Sequence, residues 1–202
     1  MSRKILYYFF VIATFLASSV FAATYEDGEV AYESSDYKKA VSIWEALAKE
    51  GDITSQLRMA KLYSTGLGTK KDEFSVKKDR SLVFKFYNQA AEQGSAEAQV
   101  QLGQIYMSGQ VDVKRDPEKA RELYLKAAKQ GYAKAQYYYG VTYFRGEGVS
   151  TDYVLGHAWM HVSLVSGYEP AKGYIEAIEE VLSEADLEKS KTISEQILAE
   201  IK

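Results

Sequence analysis

The chain of 202 residues contains no cysteine. Disulfides, thiolate metal sites and thiol nucleophiles are therefore excluded, whatever compartment the protein occupies. Proline occurs only twice, so little interrupts helices, and Ala, Leu, Glu, Lys and Gln favour them. Histidine also occurs twice, which limits any imidazole ligand set to a single pair. Neither sign of charge dominates, with 25 basic residues against 28 acidic ones and a net of −3. A mildly acidic protein is a poor candidate for binding nucleic acid or an anionic membrane surface. Hydrophobic residues, by contrast, make up 47% of the chain, and tyrosine occurs seventeen times. That is ample for burial and argues against disorder.

One apolar run stands apart. Ser2-Arg3-Lys4 is a short basic start, Ile5 to Ala17 is almost wholly apolar, and Val20-Phe21-Ala22 supplies small residues before a cut. Residues 1–22 thus read as a secretory signal cleaved after Ala22, which leaves no stable membrane insertion. A retained anchor is the alternative, although the run is short for a span. Cleavage removes Arg3 and Lys4 and takes the formal charge from −3 to −5.

The remainder is built on self-similarity. Gly94-Ser95-Ala96-Glu97-Ala98-Gln99 opens a stretch that continues through Leu102-Gly103 and Tyr106 to Gln130. Gly131 opens a second copy 37 residues later, with Ala135-Gln136, Gly140 and Tyr143 in the same places. Gly51 opens a looser first copy, six residues longer, through Ser55-Gln56, Ala60 and Tyr63. The predicted units are 51–93, 94–130 and 131–167, preceded by a hairpin at 23–50 and followed by capping helices at 168–202. In the hairpin, helices are expected over Tyr25 to Ser34 and Asp36 to Lys49, the second capped by Asp36. Unit one has helix A over about Asp52 to Ser64 and helix B over about Arg80 to Gln93. Between them Gly66-Leu67-Gly68 turns the chain and Thr69 to Asp79 reads as a polar surface loop. Asp116-Pro117 starts helix B of the second unit, since proline at the first helical position loses no hydrogen bond. Helix A presents Leu102, Gly103 and Tyr106 to its neighbour; Gly103 and Gly140 lack side chains where helices must cross closely. Glu169-Pro170 opens a helix to about Leu182, and Ser183 to Asp186 resembles a capping box for the last one.

The order G-x-A-x-A-Q-x-x-L-G-x-x-Y-x-x-G, then an acidic helix start, K-A, an aromatic and A-A-x-Q-G, resembles the sel-one-like repeat (SLR), a relative of the tetratricopeptide repeat. The likeness is close from Gly94 to Val149 and looser from Gly51 to Gln93, and Tyr25 to Glu50 resembles a tetratricopeptide-like hairpin. It implies an all-α fold, a right-handed α/α superhelical solenoid, acting as a scaffold, adaptor or regulator that binds another protein or peptide. Exported bacterial members of such a family work in the periplasm or outside the cell, and some resemble immunity, inhibitor or host-interaction proteins. A cysteine-rich branch is tied to penicillin binding or lactamase-like hydrolysis; its cysteine pairs are absent here.

Helix A of each unit is expected to line the inner curve of such an array. Offsets 3, 6, 10 and 13 from each opening glycine place Thr54, Leu57, Lys61 and Ser64 there, then Glu97, Val100, Gln104 and Met107, then Lys134, Tyr137, Val141 and Phe144. The hairpin adds Tyr25, Glu29 and Tyr32. An apolar row with sparse polar anchors suits an extended peptide or a helix; alternatively Val100, Val141 and Phe144 pack against the next repeat. His157 and His161 share a helical face, but Ala158 stands where the zinc-protease pattern needs Glu, and no third ligand is near. Gly66-Leu67-Gly68 and Gly146-Glu147-Gly148 lack the strand and lysine of a phosphate loop. No nucleophile elbow or spaced carboxylate pair is present, so the reading is a monomeric protein-binding chain without cofactor or metal, not an enzyme.

Overall fold

The computed structural model describes residues 23–68, 74–110 and 113–201. The expected signal at 1–22 and the tip of the 69–79 loop lie outside these ranges. The described residues form ten α-helices: α1 (Tyr25–Glu33), α2 (Tyr37–Glu50), α3 (Ile53–Thr65), α4 (Arg80–Glu92), α5 (Ala96–Ser108), α6 (Pro117–Lys129), α7 (Ala133–Arg145), α8 (Tyr153–Val165), α9 (Lys172–Glu179) and α10 (Glu184–Glu200). Sequential helices pack on one another from α1 to α9 and α10 folds back onto α8, giving an α/α solenoid of three repeats, α3–α4, α5–α6 and α7–α8, between the α1–α2 hairpin and a cap of α9 and α10. None of the described helices is long and apolar enough to cross a membrane.

Local chemistry sets the boundaries. Carboxylates of Asp36, Asp52, Asp79, Asp116 and Asp152 each accept a backbone N–H three residues on, capping the helices that follow. Each satisfies one of the free donors at a helix start. Ser183 and Asp186 cap α10 in the same way, the Ser183 hydroxyl also donating to the Asp186 carboxylate at 2.7 Å. Two segments differ from the sequence reading. Leu67–Gly68 pairs antiparallel with Ser75–Val76, so the presumed polar loop starts and ends as a two-stranded ribbon. Its Val76 is buried and Phe74 packs against the same core cluster, because an inserted segment with two apolar residues gains by covering exposed core. After Tyr168 the chain makes a 3-10 turn, Glu169–Ala171, before α9 begins at Lys172.

The core divides into a central cluster of the second and third units, an N-terminal cluster around Trp44 and Met59, and a smaller cluster of α7, α8 and the cap. This follows from repeat architecture, in which each unit touches only its neighbours. Close helix crossings rely on missing side chains. A Cβ at Gly103 would lie 2.5 Å from the Tyr124 ring, and one at Gly140 would lie 2.9 Å from the Gly156 carbonyl oxygen.

A buried glutamine ties each unit to the one before it. Gln56, Gln99 and Gln136 are buried, at 2%, 5% and 0% exposure. Their Nε2 groups donate to the carbonyls of Ala48, Ala91 and Ala128 at 3.2, 3.4 and 3.4 Å. The Oε1 atoms of Gln56 and Gln99 then accept from Gln93 and Gln130, both at 2.9 Å. In the third unit the matching position is Ser166, too short to reach, and Gln136 Oε1 is buried without a partner. Backbone angles at Ser166 (φ −79, ψ 6) match those at Gln130 (φ −82, ψ 5). Replacing Ser166 with Gln is therefore expected to raise stability by about 0.5–1.5 kcal/mol, read from the urea midpoint. An unchanged or lowered midpoint would mean that Gln136 already has a donor.

Candidate functional site

The inner face of the array is shaped by where helix A residues point. From α5 come Gln104 and Met107, from α7 Tyr137, Tyr138 and Arg145, and from α9 Tyr174; together they line a groove of about 470 Å³. The Tyr137 ring lies 5.2 Å from both Tyr138 and Tyr168 and 5.5 Å from Tyr174, in edge-on or tilted geometries. Such packing holds the rings as a fixed platform. The Arg145 guanidinium donates to the Tyr174 hydroxyl at 2.9 Å, placing one cation at the rim. Burial, then the hydrogen bond with Tyr174, pushes the Tyr137 hydroxyl above its ordinary range, so it stays a neutral donor and acceptor. The groove thus offers flat apolar area, several hydroxyls, the Arg145 cation and the Glu147 carboxylate, chemistry suited to an extended polypeptide.

The structure brings together only some of the row read from the sequence. Gln104, Met107, Tyr137 and Val141 line this one groove. Val100 is corrected: it is 0% exposed in the central core and offers a partner nothing. Val141, at 6% exposure, reaches the groove mainly as part of the cap cluster. Phe144 also packs inward, its ring 5.6 Å from Tyr153 and 5.7 Å from Tyr174. Its removal would loosen the cap, so it is a poor probe of binding. Leu57 packs against the central core. Tyr25 and Tyr32 lie against Trp44 at 6.0 and 5.7 Å, and burial together with Glu29 raises the Tyr25 pKa to about 12. Lys61 and Glu97 are exposed and Lys134 half-buried, none of them lining the groove. Tyr138 and Tyr174 were not in the row. Tyr174 comes from the cap, beyond the repeats whose offsets located the others.

The histidine pair has a different role from the one its spacing suggests. His157 is buried, with Nδ1 2.7 Å from the Ser190 hydroxyl and Nε2 3.4 Å from the Glu179 carboxylate. A carboxylate only accepts, so Nε2 carries the proton and Ser190 donates to Nδ1. Burial lowers the His157 pKa, more than Glu179 raises it, which keeps the ring neutral near pH 7. The order Ser–His–Glu has the look of a hydrolytic triad. Ser190, however, is 0% exposed within α10, and the space that it lines with His157 and Glu179 is small, at about 210 Å³. These contacts instead join α8, α9 and α10. Among the described residues no group of three or more His, Asp or Glu is placed to hold a metal.

Comparison with known proteins accords with this geometry. A sequence model described as the Sel1 repeat matches residues 16–52, 53–95, 96–132 and 133–162. The first of these takes in the α1–α2 hairpin, and the next three follow the three repeats of the structure. Among curated proteins none matches the chain. A crystal structure of a Sel1 repeat protein from Oxalobacter formigenes is similar at a TM-score of 0.64 and 28% identity, over 75% of this chain and 59% of that one. Another similar structure is that of c5321, a protective antigen present in uropathogenic Escherichia coli strains and displaying an SLR fold, with a TM-score of 0.53 over 88% of this chain. At 23% identity the second likeness speaks for the fold alone, and this chain spans only 45% of that one's length. Four matches that cover most of the residues, each coinciding with a helix pair of the solenoid, place the chain in the Sel1 repeat family.

Proposed function

We propose that this chain is an exported adaptor that binds a segment of another protein in the groove between α5 and α7. Sel1 repeat proteins generally mediate protein–protein interaction and are typically non-catalytic. The observation that carries the reading is the fixed tyrosine platform of Tyr137, Tyr138 and Tyr174 facing Gln104 and Met107 across about 470 Å³. Rigid aromatic area binds at low entropic cost, and a few hydrogen-bonding groups at the edge set the register of a bound chain. Export rests on the apolar start and the small residues before Ala23.

The test is affinity capture from the cell envelope, followed by titration of the captured partner. Met107→Glu puts a charge on the groove floor at a half-buried position; because Met107 also packs against the central cluster, an unchanged urea midpoint is the control. It is expected to weaken binding about tenfold or more, or about 1.4 kcal/mol. Equal affinity in this variant and the parent would refute the groove. The protein itself should be recovered outside the cytoplasm with Ala23 as its first residue; recovery with Met1 in place would refute signal cleavage.

A further inference from the structure

Each repeat also builds a cleft on another edge, where helix A ends and helix B begins. Its walls recur: a tyrosine at the end of helix A (Tyr63, Tyr106, Tyr143) and a valine three residues before the capping aspartate (Val76, Val113, Val149). The chain treats the three clefts differently. In the first unit Phe74 joins Val76, Val41 and Tyr63 in the lining, leaving a shallow space of about 450 Å³. In the third unit Gly148 sits directly on the start of α6, where a Cβ would lie 2.7 Å from the Pro117 carbonyl carbon. The Arg121 guanidinium completes that closure, lying 5.8 and 5.9 Å from the Tyr139 and Tyr143 rings. The cleft of the second unit is the largest, at about 730 Å³, within the range of ligand sites, roughly 300–1,000 Å³.

This second cleft has an apolar floor and a cationic rim. Phe84 and Tyr106 meet edge to face at 5.9 Å, and Arg80, Lys114 and Arg115 stand around them. Arg115 is held there by donating its Nε–H to the Met107 carbonyl at 3.1 Å. Lys77 and Lys78 line the adjoining first cleft. The ion pairs among the described residues join Lys49 to Glu45 and Arg58 to Glu29, neither of them involving these five cations. Three acids stand at the start of the two helices: Asp79, which accepts from the Leu82 N–H at 3.0 Å, Asp116, which accepts from the Lys119 N–H at 2.9 Å, and Glu118 on the cleft wall, so the five cations outnumber them. In a protein whose overall charge is negative, this edge is locally positive.

The chain itself shows what such a cleft accepts. The residue that enters the first cleft, Phe74, stands in the sequence Asp72-Glu73-Phe74-Ser75-Val76, two acids followed by an aromatic and an aliphatic anchor. The second unit, six residues shorter, carries no counterpart of that insertion. We propose that the cleft between α4, α5 and the start of α6 is a second binding site, for an acidic peptide segment of a partner with an aromatic or aliphatic anchor. The anchor fills the space over Phe84 and Tyr106, and the acids meet Arg80, Lys114 and Arg115. This site adjoins the groove between α5 and α7, with Gln110 on the wall of both, but neither reading depends on the other.

The probe is a fluorescein-labelled pentapeptide with the sequence of residues 72–76, titrated against the purified protein by fluorescence polarisation. One-site saturable binding is expected, weakened at least tenfold by Arg80→Glu, by Lys114→Glu and by Ala in place of the peptide's Phe. Raising salt from about 50 mM to about 500 mM should also weaken it, since these charges are exposed. Arg145→Ala, on the rim of the groove, should leave it unchanged, which separates this cleft from the groove. Absence of saturation, or indifference to both charge reversals, overturns the proposal. Loss of binding in Arg145→Ala alone assigns the peptide to the groove and overturns it as well. Dodecanoate that binds tighter than the peptide, through the same two cations, would make the cleft an amphiphile site instead.

Discussion

Replacing Trp44 with Ala is expected to destabilise the N-terminal part of the array by about 3–5 kcal/mol. The indole is 0% exposed. Tyr25 and Tyr32 pack on it, and the Arg58 guanidinium lies 4.5 Å over its ring. Its Nε1–H donates to the Tyr25 carbonyl at 3.3 Å, and the bare face of Gly28 leaves the room it occupies. Truncation removes transfer energy and leaves a cavity walled by rings that cannot collapse into it. It also strips Arg58 of one of the two rings that shelter its charge. The damage should stay local, because this cluster is distinct from the central one. In the variant Trp159 is the sole tryptophan, so its fluorescence reports on the third unit while circular dichroism reports on the whole. The two urea curves should separate, with helix loss beginning first. Curves that move together by less than about 1 kcal/mol would contradict the assignment, since even ordinary large-to-small core changes exceed that.

Gly140→Leu should have an effect of similar size by the opposite means. The α7–α8 crossing is backbone against backbone: the missing Cβ of Gly140 would fall 2.9 Å from both the Gly156 carbonyl oxygen and Met160 Cγ. In return, a Cβ on Gly156 would fall 3.2 Å from the Gly140 carbonyl oxygen. Overpacking usually costs about 1–3 kcal/mol when side chains can yield. Here a main-chain atom must move, which puts the expected loss at about 3 kcal/mol or above, with weakened near-ultraviolet dichroism from the tyrosines around it. Gly140→Ala is the sharper control. In an open helix it would gain about 1 kcal/mol in propensity, so a stabilised Ala variant would show that the crossing is looser than described.

The repeats, the caps and the glycine crossings were legible in the sequence because they recur at fixed offsets or carry local chemistry. Asp116-Pro117 announces a helix start without reference to anything distant. The binding row was less legible. Helix A in a solenoid is covered by its own partner and by the preceding helix B, so burial extends beyond one stripe. Val100 sits deep in the core, while Leu57 and Tyr137, at the same offset, are only half-buried. The glutamines recur as part of the repeat motif, yet their partners lie eight residues back across a turn, which no helical period reveals. Tyr174 lies beyond the last repeat, and the pairing of Leu67–Gly68 with Ser75–Val76 follows no repeat template. The open cleft of the second unit sets Phe84 of one repeat against Tyr106 of the next, a pairing that no repeat offset marks.

The glutamine network also governs how this chain can change in length. Gln99 touches the end of one helix B through Ala91 and the end of the next through Gln130. Inserting a single residue ahead of it in α5 would turn its side chain by about 100° and leave buried carbonyl and amide groups without partners. Adding or deleting a whole unit leaves every such link intact, save at the third unit, where Ser166 ends the series. Within the helices, growth and loss are thereby restricted to integral repeats, while the six extra residues of the first unit lie between its helices, and the place where the series stops is marked by one serine.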